Sequence, residues 1–294
     1  MAVLEIPYRT GRLIVLGDLH HDSYMRYGTD PFTAHELDQS LCWDVDALIV
    51  AGDLTNMPVM HWRPTLMFLK RFVPASRIYV LPGNHDFYGH LLDEEDDLRL
   101  IAEIAGANFV QKKELRLGAT RILVCTLWTD FALTGDQKAA MSTARHRMSD
   151  YTAMHKTGPL NNLSVRRPQI LITPADTLAL HRDHRAWLEE QLAGPHFAGP
   201  AGRTIVVTHH GPHLATAGPV DGLTPAFHSN LEDVLLRYAP DVWLFGHSHR
   251  RLRARIGNTD IRNVSIGYPN EARLPEERPL EELCQIDCQD RGLA

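Results

Sequence analysis

Six short apolar runs recur along the chain, and a cluster of polar residues follows most of them. The runs cover residues 12–16, 46–50, 77–81, 121–125, 204–207 and 241–245. Near-continuous apolar runs of this length are typical of strands that are buried on both faces. Glycine and proline at their ends favour strands over buried helices. The pattern therefore predicts six buried strands.

Helical patterns separate these runs. Residues 93–97 are five consecutive acids, which indicates either a cation site or the acidic first turn of a helix. We favour the helix, because residues 98–105 carry one apolar stripe and Gly106 is a plausible stop. Thr173 and Pro174 predict the start of a second helix that runs to about Leu192. A third helix is predicted over 227–238.

Strands that alternate with helices indicate an α/β fold. No linker divides the sequence, so we expect a single domain over 1–294. Residues 131–172 show no strong period. A segment of this length between core elements is usually a functional insertion, and we expect 131–172 to form an insertion that could cover the active site as a lid.

The composition is that of an ordinary globular protein, with 44% hydrophobic and 22% charged residues. The net charge of -6 argues against a phosphate backbone as the main partner. Four cysteines without a disulfide or zinc pattern fit a reducing cytosol. The N-terminus lacks a signal-peptide pattern, and no apolar run approaches the roughly 20 residues of a membrane span. We therefore expect a cytoplasmic protein without a membrane partner.

Seventeen histidines are the unusual feature of the composition, and several follow the predicted strands together with carboxylates. The clusters are Asp18-x-His20, Gly52-Asp53, Gly83-Asn84-His85-Asp86, Thr208-His209-His210 and Gly246-His247-x-His249. Open α/β sheets bind their ligands at these carboxyl ends of strands. Carboxylate, imidazole and amide groups suit a pair of divalent cations. The absence of thiolates from the set favours an open catalytic site over a closed structural zinc site.

Local geometry explains how these side chains could converge. The spacing of two residues in an extended chain would place Asp18 and His20 on one face, and His247 and His249 likewise. Glycines before Asp53 and Asn84 would allow sharp turns. Strand alternation allows only one residue of the 209–210 pair to face the metals.

These motifs, in this order, resemble the calcineurin-like metallophosphoesterases, whose pattern is present in full from residue 18 to 249. The resemblance implies a two-sheet β-sandwich flanked by helices, in four α/β/β/α layers, with a dinuclear metal site at the C-terminal ends of the strands. In related sequences the ligand histidine directly follows its strand, which favours His209 over His210.

The resemblance also implies a role for each residue of the motifs. One metal would be held by Asp18, His20, Asp53 and His249, and the other by Asp53, Asn84, His209 and His247. Asp53 would thus bridge the two ions. His85 would lie near the leaving group, and Asp86 would orient its imidazole. Mn, Fe, Zn, Co and Ni all accept such ligands, and we favour Mn.

The match extends to a large bacterial subgroup that is mostly uncharacterised. It covers residues 127–131, 149–151, 178–187 and 225–229. Substrate-binding residues cannot be assigned from it, although Trp128, Asp130 and Asp150 are candidates.

The site predicts a metal-dependent phosphoester hydrolase, in which a hydroxide between two metals attacks phosphorus in line. We expect a small phosphodiester as substrate, with phosphomonoesters close behind. A nuclease is the first alternative, because Arg250–Arg255 could contact nucleic acid, although a strand with arginines on its wet face is the simpler interpretation. A non-catalytic scaffold is the second alternative, and the complete ligand set argues against it. The sequence gives no signal for an oligomeric state.

Overall fold

The computed structural model describes residues 3–160 and 167–289. Its main features are two β-sheets with helices on their outer sides. The strands are β1 (Leu4–Glu5), β2 (Arg12–Leu16), β3 (Ala47–Ala51), β4 (Ile78–Leu81), β5 (Asn108–Phe109), β6 (Lys113–Leu117), β7 (Thr120–Cys125), β8 (His155–Thr157), β9 (Gln169–Leu171), β10 (Arg203–Thr208), β11 (Val242–Phe245), β12 (Arg253–Ile256), β13 (Thr259–Asn263) and β14 (Gln285–Asp287). The α-helices are α1 (His21–Arg26), α2 (Pro31–Ala34), α3 (Pro58–Leu69), α4 (Glu95–Ile104), α5 (Gln137–Arg147), α6 (Asp150–Ala153), α7 (Pro174–Ala193), α8 (Glu232–Tyr238) and α9 (Leu280–Cys284).

Within these ranges the larger sheet has the strand order β1-β6-β7-β10-β11-β13-β12, and the smaller sheet has the order β14-β2-β3-β4-β5. Strands β2, β3 and β4 are parallel neighbours in the smaller sheet. Strands β7, β10 and β11 are parallel neighbours in the larger one. The carboxyl ends of the parallel strands therefore share one edge of each sheet, which is where the polar clusters lie.

The six predicted strands are confirmed, each to within one residue at either end, as β2, β3, β4, β7, β10 and β11. Both faces of the larger sheet are apolar, as the near-continuous runs indicate. In β10, Ile205 and Val207 face the interior between the sheets, whereas Val206 faces the opposite side. There it packs in a cluster with Trp187 and Leu188 of α7. The predicted architecture of two sheets flanked by helices is thus confirmed.

The first two predicted helices are confirmed as α4 and α7, but the predicted helix over 227–238 is too long. Helix α8 begins only at Glu232, because the preceding backbone pairs with Gly211 instead. The Gly211 N–H donates to the carbonyl of Phe227, and the Ser229 N–H donates to the carbonyl of Gly211. This pairing brings the Phe227 ring against His247, with ring centroids 4.5 Å apart.

The segment 131–172 contains more regular structure than its sequence indicates. It holds α5, α6, β8 and β9, with β8 and β9 paired as an antiparallel ribbon. Its residues 161–166 lie outside the described part of the chain. Helix α5 contacts α7 and α6, so the segment packs on the body of the protein. No helix in the described ranges combines the length and apolar character that a bilayer crossing requires.

Candidate active site

The predicted ligands come from loops that follow strands of both sheets. The smaller sheet supplies those after β2, β3 and β4, and the larger sheet supplies those after β10 and β11. In the same order the side chains are Asp18, His20, Asp53, Asn84, His209, His247 and His249. All seven are buried, with at most 7% of their surface exposed. Residues from distant parts of the sequence therefore meet where the edges of the two sheets adjoin.

Five of these residues have a left-handed backbone rather than an extended one. The φ angles are 56° at Asp18, 40° at His20, 56° at Asp53, 65° at His247 and 52° at His249. The expectation that extended spacing brings the pairs together is therefore wrong. Instead, tight turns with a left-handed backbone at these residues bring the side chains together. Such conformations cost on the order of 1–3 kcal/mol each in strained cases and cluster at functional sites.

The first group of side chains consists of Asp18, His20 and His249, whose potential ligand atoms lie within 4.8 Å of one another. The Nε2 atoms of His20 and His249 are 3.1 Å apart. His249 Nε2 is also 3.4 Å from Asp18 Oδ1, and His20 Nε2 is 3.7 Å from Oδ2 of Asp53. The Nδ1 of His249 meets the carboxylate of Glu271 at 2.8 Å, which turns Nε2 towards the group.

The second group consists of Asp53, His209 and His247, with Asn84 beside it. The His209 Nδ1–H donates to the carbonyl of Ala51 over 2.8 Å, so Nε2 carries the lone pair of the neutral ring. Burial lowers the pKa of His209, which keeps the ring neutral.

Two acceptor atoms face each other in this second group. The Nε2 lone pair of His209 lies 3.0 Å from Oδ1 of Asn84, whose amide N–H donates to Asp150. His247 Nε2 is buried without a hydrogen-bond partner among the described residues. Acceptors this close repel each other unless a cation lies between them, so the donor set fits a divalent metal ion.

Four buried carboxylates converge around the two groups: Asp18, Asp53, Asp86 and Asp150, each at most 3% exposed. No described lysine or arginine pairs with any of them. Burial, together with the charges of Asp18 and Asp86, raises the pKa of Asp53 well above its ordinary value. Buried charge of one sign is costly without compensation, and metal ions would supply that compensation.

Two glycines allow the loops to approach closely. Gly52 has a φ of +89°, and a Cβ there would overlap the imidazole of His209. At Gly83 the requirement is space alone, because a Cβ would overlap Oδ1 of Asp53. The predicted sharp turn is therefore found at Gly52, whereas Gly83 is needed for contact between two loops.

His85 is held by Asn56, a residue that belongs to none of the sequence motifs. Its Nδ1–H donates to Oδ1 of Asn56 over 2.8 Å, and the Asn56 amide N–H donates to Asp22 over 3.0 Å. Burial, with the nearby His249 and other imidazoles, lowers the pKa of His85 to about 3. The neutral ring therefore presents the lone pair of Nε2 towards the cavity.

The prediction that Asp86 orients His85 is wrong. The Asp86 carboxylate accepts hydrogen bonds from four backbone N–H groups and one indole, namely those of Gly83 (2.9 Å), Asp53 (2.8 Å), Leu54 (3.1 Å), Thr55 (3.2 Å) and Trp62 (2.7 Å). It thereby fastens the loop after β3 to the loop after β4. The preceding residue, His85, points in a different direction, because His85 and Asp86 both belong to a tight 3₁₀ turn.

Aromatic side chains that the motifs do not include line the site. The Tyr268 ring stacks on His20 with centroids 4.1 Å apart, and the Tyr88 ring stacks on His85 at 4.2 Å. The Tyr268 hydroxyl lies 3.3 Å from His85 Nε2. No spacing rule connects these tyrosines to the motifs. Only the subgroup match at 149–151 pointed towards a further participant, Asp150.

His209, rather than His210, lies in the group with Asp53 and His247. The His210 ring packs instead between Trp128 and His247, and its Nδ1 is 3.3 Å from the carbonyl of Thr126. The structure thus directs the two neighbouring histidines to different surroundings, although both lie just beyond the end of β10.

The arginines after the last motif are mainly engaged within the protein. Arg251 is 9% exposed and donates to the carbonyls of Ser265 and Ile266 at 3.0 Å each. Arg253 forms a bidentate pair with Asp260, at 2.8 and 2.9 Å. The predicted strand is found as β12, which pairs antiparallel with β13, but Arg251 is buried rather than exposed to solvent. These contacts remove most of the support for a nucleic-acid surface here.

A cavity of about 390 Å³ opens over the two groups. The 147–150 segment forms one of its walls, and Arg147 is the single lysine or arginine among its described lining residues. Its apolar and aromatic lining consists of Tyr88, Met148, Leu223, Phe227 and Tyr268. A ligand in this cavity would therefore meet potential metal ligands on one side and apolar surface on the other.

Comparison with known proteins decides the family. The model of the calcineurin-like phosphoesterases matches residues 11–251. The chain belongs to the calcineurin-like phosphoesterase family. Metal-dependent hydrolysis of phosphoesters is therefore the general activity of this calcineurin-like phosphoesterase, and the two groups of side chains described above could each hold a metal ion.

Solved structures show the same fold for this calcineurin-like phosphoesterase. The phosphopantetheinyl hydrolase from Mycobacterium tuberculosis superposes with a TM-score of 0.65 and 18% identity, over 93% of this chain and 95% of that chain. The purple acid phosphatase from yellow lupin seeds is more distant, with a TM-score of 0.48 and 13% identity, over 93% and 47% of the two chains. The latter similarity is too remote to carry an argument. No curated protein matches the sequence.

Proposed function

We propose that this protein hydrolyses small phosphodiesters, and phosphomonoesters as a second class of substrate, with two divalent cations bound in the two groups of ligands. The observation that carries the proposal is the buried set of acceptor atoms that face one another, His209 Nε2 and Asn84 Oδ1, among carboxylates that pair with no described lysine or arginine. This arrangement is unfavourable on its own and favourable around cations.

Asp53 is suited to bridge the two ions. Its Oδ2 faces His20 of the first group at 3.7 Å, and its Oδ1 faces His209 of the second group at 3.5 Å. The remaining ligands would be Asp18 and His249 for the first ion, and Asn84 and His247 for the second. When bound, the two ions would supply Lewis acidity that withdraws charge from phosphoryl oxygens and promotes ionisation of a water between them.

The chain itself would act on the leaving group through His85. Asn56 fixes Nδ1 of this ring, so Nε2 is the atom directed at the cavity. To act on the leaving oxygen, the ring would first take up a second proton at Nε2, which the negative charge of a bound phosphoester would favour, and Nε2 would then donate that proton to the leaving oxygen. Asp86 would contribute by holding the loops that carry Asp53 and Asn84 in register.

The cavity lining supports a diester over a monoester. A diester carries one negative charge and two organic substituents, whereas a monoester dianion carries more charge. Apart from the potential metal ligands and His85, the described lining includes five apolar or aromatic side chains, the acids Asp150 and Glu271, and a single arginine, and such a lining favours the less charged ester. The wall formed by residues 147–150 supports a role in substrate binding for the predicted insertion at 131–172.

Manganese is our proposal for the metal, because carboxylate, imidazole and amide ligands suit it and no thiolate is present in either group. A nuclease is not favoured, since Arg251 and Arg253 are held by internal partners. A non-catalytic scaffold would not need His85 to be directed into an open cavity.

The test is a substrate panel on the purified protein with Mn²⁺. It comprises bis(p-nitrophenyl) phosphate, p-nitrophenyl phosphate, nucleotides and a phosphopantetheinyl ester, the last because of the fold shared with the Mycobacterium tuberculosis hydrolase. We expect turnover of the diester to exceed that of the monoester. Asp53→Ala should abolish turnover, because it removes a ligand from both ions at once.

The matched control is Asp96→Ala, which removes a carboxylate that is 89% exposed and should leave turnover unchanged. Wild-type protein that is loaded with metal and turns over none of these esters would contradict the proposal. Full activity in the Asp53→Ala variant would contradict the ligand assignment.

A further inference from the structure

Asp150 is a buried carboxylate that neither ligand group includes. It is 3% exposed and belongs to the segment 131–172, remote in sequence from every motif. Its Oδ1 accepts a hydrogen bond from the amide of Asn84 at 2.9 Å and from the hydroxyl of Tyr88 at 2.5 Å. No described lysine, arginine or histidine forms an ion pair with it. A carboxylate buried at this cost needs a reason.

The first contact determines which end of the Asn84 amide faces the metal groups. Because Oδ1 of Asp150 accepts the hydrogen bond from Asn84, the NH₂ end of the Asn84 amide points to Asp150. The oxygen must then point the opposite way, to within 3.0 Å of His209 Nε2. A cation binds the oxygen of an amide and not its NH₂ group. Rotation of this side chain by half a turn would therefore remove a ligand.

The second contact reaches the leaving-group side of the site. The Tyr88 ring stacks on His85 with centroids 4.2 Å apart and planes inclined by 28°. Its hydroxyl is fixed by the same oxygen of Asp150 that accepts from Asn84. Oδ1 of Asp150 thus restrains both Asn84, a potential metal ligand, and Tyr88, whose ring stacks on His85.

We propose that Asp150 is a positioning residue that holds the Asn84 oxygen in place as a ligand of the second cation. This inference rests on the proposed function, because it assumes a cation between Asn84 and His209. It makes the segment 131–172 part of the metal centre, in addition to a wall of the cavity. Partners of this kind behind a metal ligand typically change metal affinity or activity by about 10–100-fold when they are removed.

The test measures Mn²⁺ binding by isothermal titration calorimetry on protein stripped with a chelator. Asp150→Ala should weaken the second Mn²⁺ site by about 10–100-fold and leave the first within a few-fold. Asp150→Asn should retain most of the affinity, because its amide oxygen can still accept from Asn84 and Tyr88. Asp96→Ala, which removes an exposed carboxylate, is the control and should bind as the wild type does.

A double-mutant cycle separates positioning from a general loss of structure. If Asp150 acts through Asn84, then Asp150→Ala should cost no further affinity in an Asn84→Ala background. Fully additive losses would overturn the proposal, and so would an Asp150→Ala variant that binds two Mn²⁺ with wild-type affinity. Equal losses in Asp150→Ala and Asp150→Asn would also overturn it, since the hydrogen bonds survive in the second variant.

Failure of the underlying function would look different. If the wild-type protein binds no Mn²⁺, the proposed function fails and the role of Asp150 fails with it. If the wild type binds two Mn²⁺ and the Asp150 variants do the same, only the role of Asp150 is overturned.

Discussion

For single histidines, the hydrogen bond at one ring nitrogen decides which nitrogen faces the site. In three histidines the Nδ1 atom is occupied, at His209 by the carbonyl of Ala51, at His249 by Glu271 and at His85 by Asn56. Each ring must therefore present Nε2 to the site. The partner that occupies Nδ1 also fixes the plane of the ring, so we expect it to influence the reaction without contact with substrate.

For His85 this orientation gives a prediction about leaving groups. Replacing His85 with alanine should lower kcat/KM by about 10²–10⁴-fold for diesters with weakly acidic leaving groups, which need a proton as they depart. The loss should be much smaller for p-nitrophenyl esters, whose leaving group is stable as an anion. Steady-state kinetics on a series of aryl diesters with phenols of different pKa would measure this dependence.

The exposed histidine on α5 provides the control, since His146→Ala should change no member of the series. An equal loss for all leaving groups in His85→Ala would show that the ring does not act on the departing oxygen.

At the scale of elements, the sequence predicts the strands well because each is a short apolar run that must be buried on both faces. The start of α7 is also predicted well, because Thr173 and Asp176 form a hydrogen-bonded cap there. Helix α5 is not predicted from the sequence, because only two of its eleven residues, Ala140 and Ala144, are buried, and two alanines do not make a recognisable apolar stripe. The left-handed turns are not predicted from the sequence either, because a side chain such as that of His20 does not indicate a backbone φ of 40°.

The loop before β2 offers a prediction about pH at this scale. Asp46 accepts hydrogen bonds from the backbone N–H groups of Arg9, Thr10 and Gly11, at 2.8–3.0 Å. Although burial acts to raise it, these bonds hold the pKa of Asp46 below its ordinary value of 3.8. Because the pKa is lowered in the folded state, the stabilisation is present above about pH 4 and is lost as the pH falls through the folded-state pKa.

Asp46→Asn should therefore lower the free energy of unfolding by about 1.5–3 kcal/mol near neutral pH, as expected for hydrogen bonds to a charged group. The difference from wild type should shrink as the pH falls below about 4. Urea unfolding over this pH range measures it, with Asp96→Asn as the exposed control. A difference that stays the same at low pH would refute the role of the ionised carboxylate.

At the scale of the whole molecule, the site exists only because two sheets adjoin. The smaller sheet carries Asp18, Asp53 and Asn84, and the larger one carries His209 and His247. The Ala51 carbonyl that accepts from His209 is itself a contact between the sheets. Motif order could indicate the ligands, and the subgroup match could suggest Asp150 as a candidate. Neither could reveal the contacts that Asn56, Tyr268 and Asp150 make, because these depend on how the sheets and the 131–172 segment pack.

Whether these side chains hold a pair of divalent cations can be seen by anomalous diffraction from crystals grown with Mn²⁺. We expect two peaks, one among Asp18, His20 and His249 and one among Asn84, His209 and His247, with Asp53 between them. A single peak, or no peak among these side chains in crystals of active protein, would contradict this expectation.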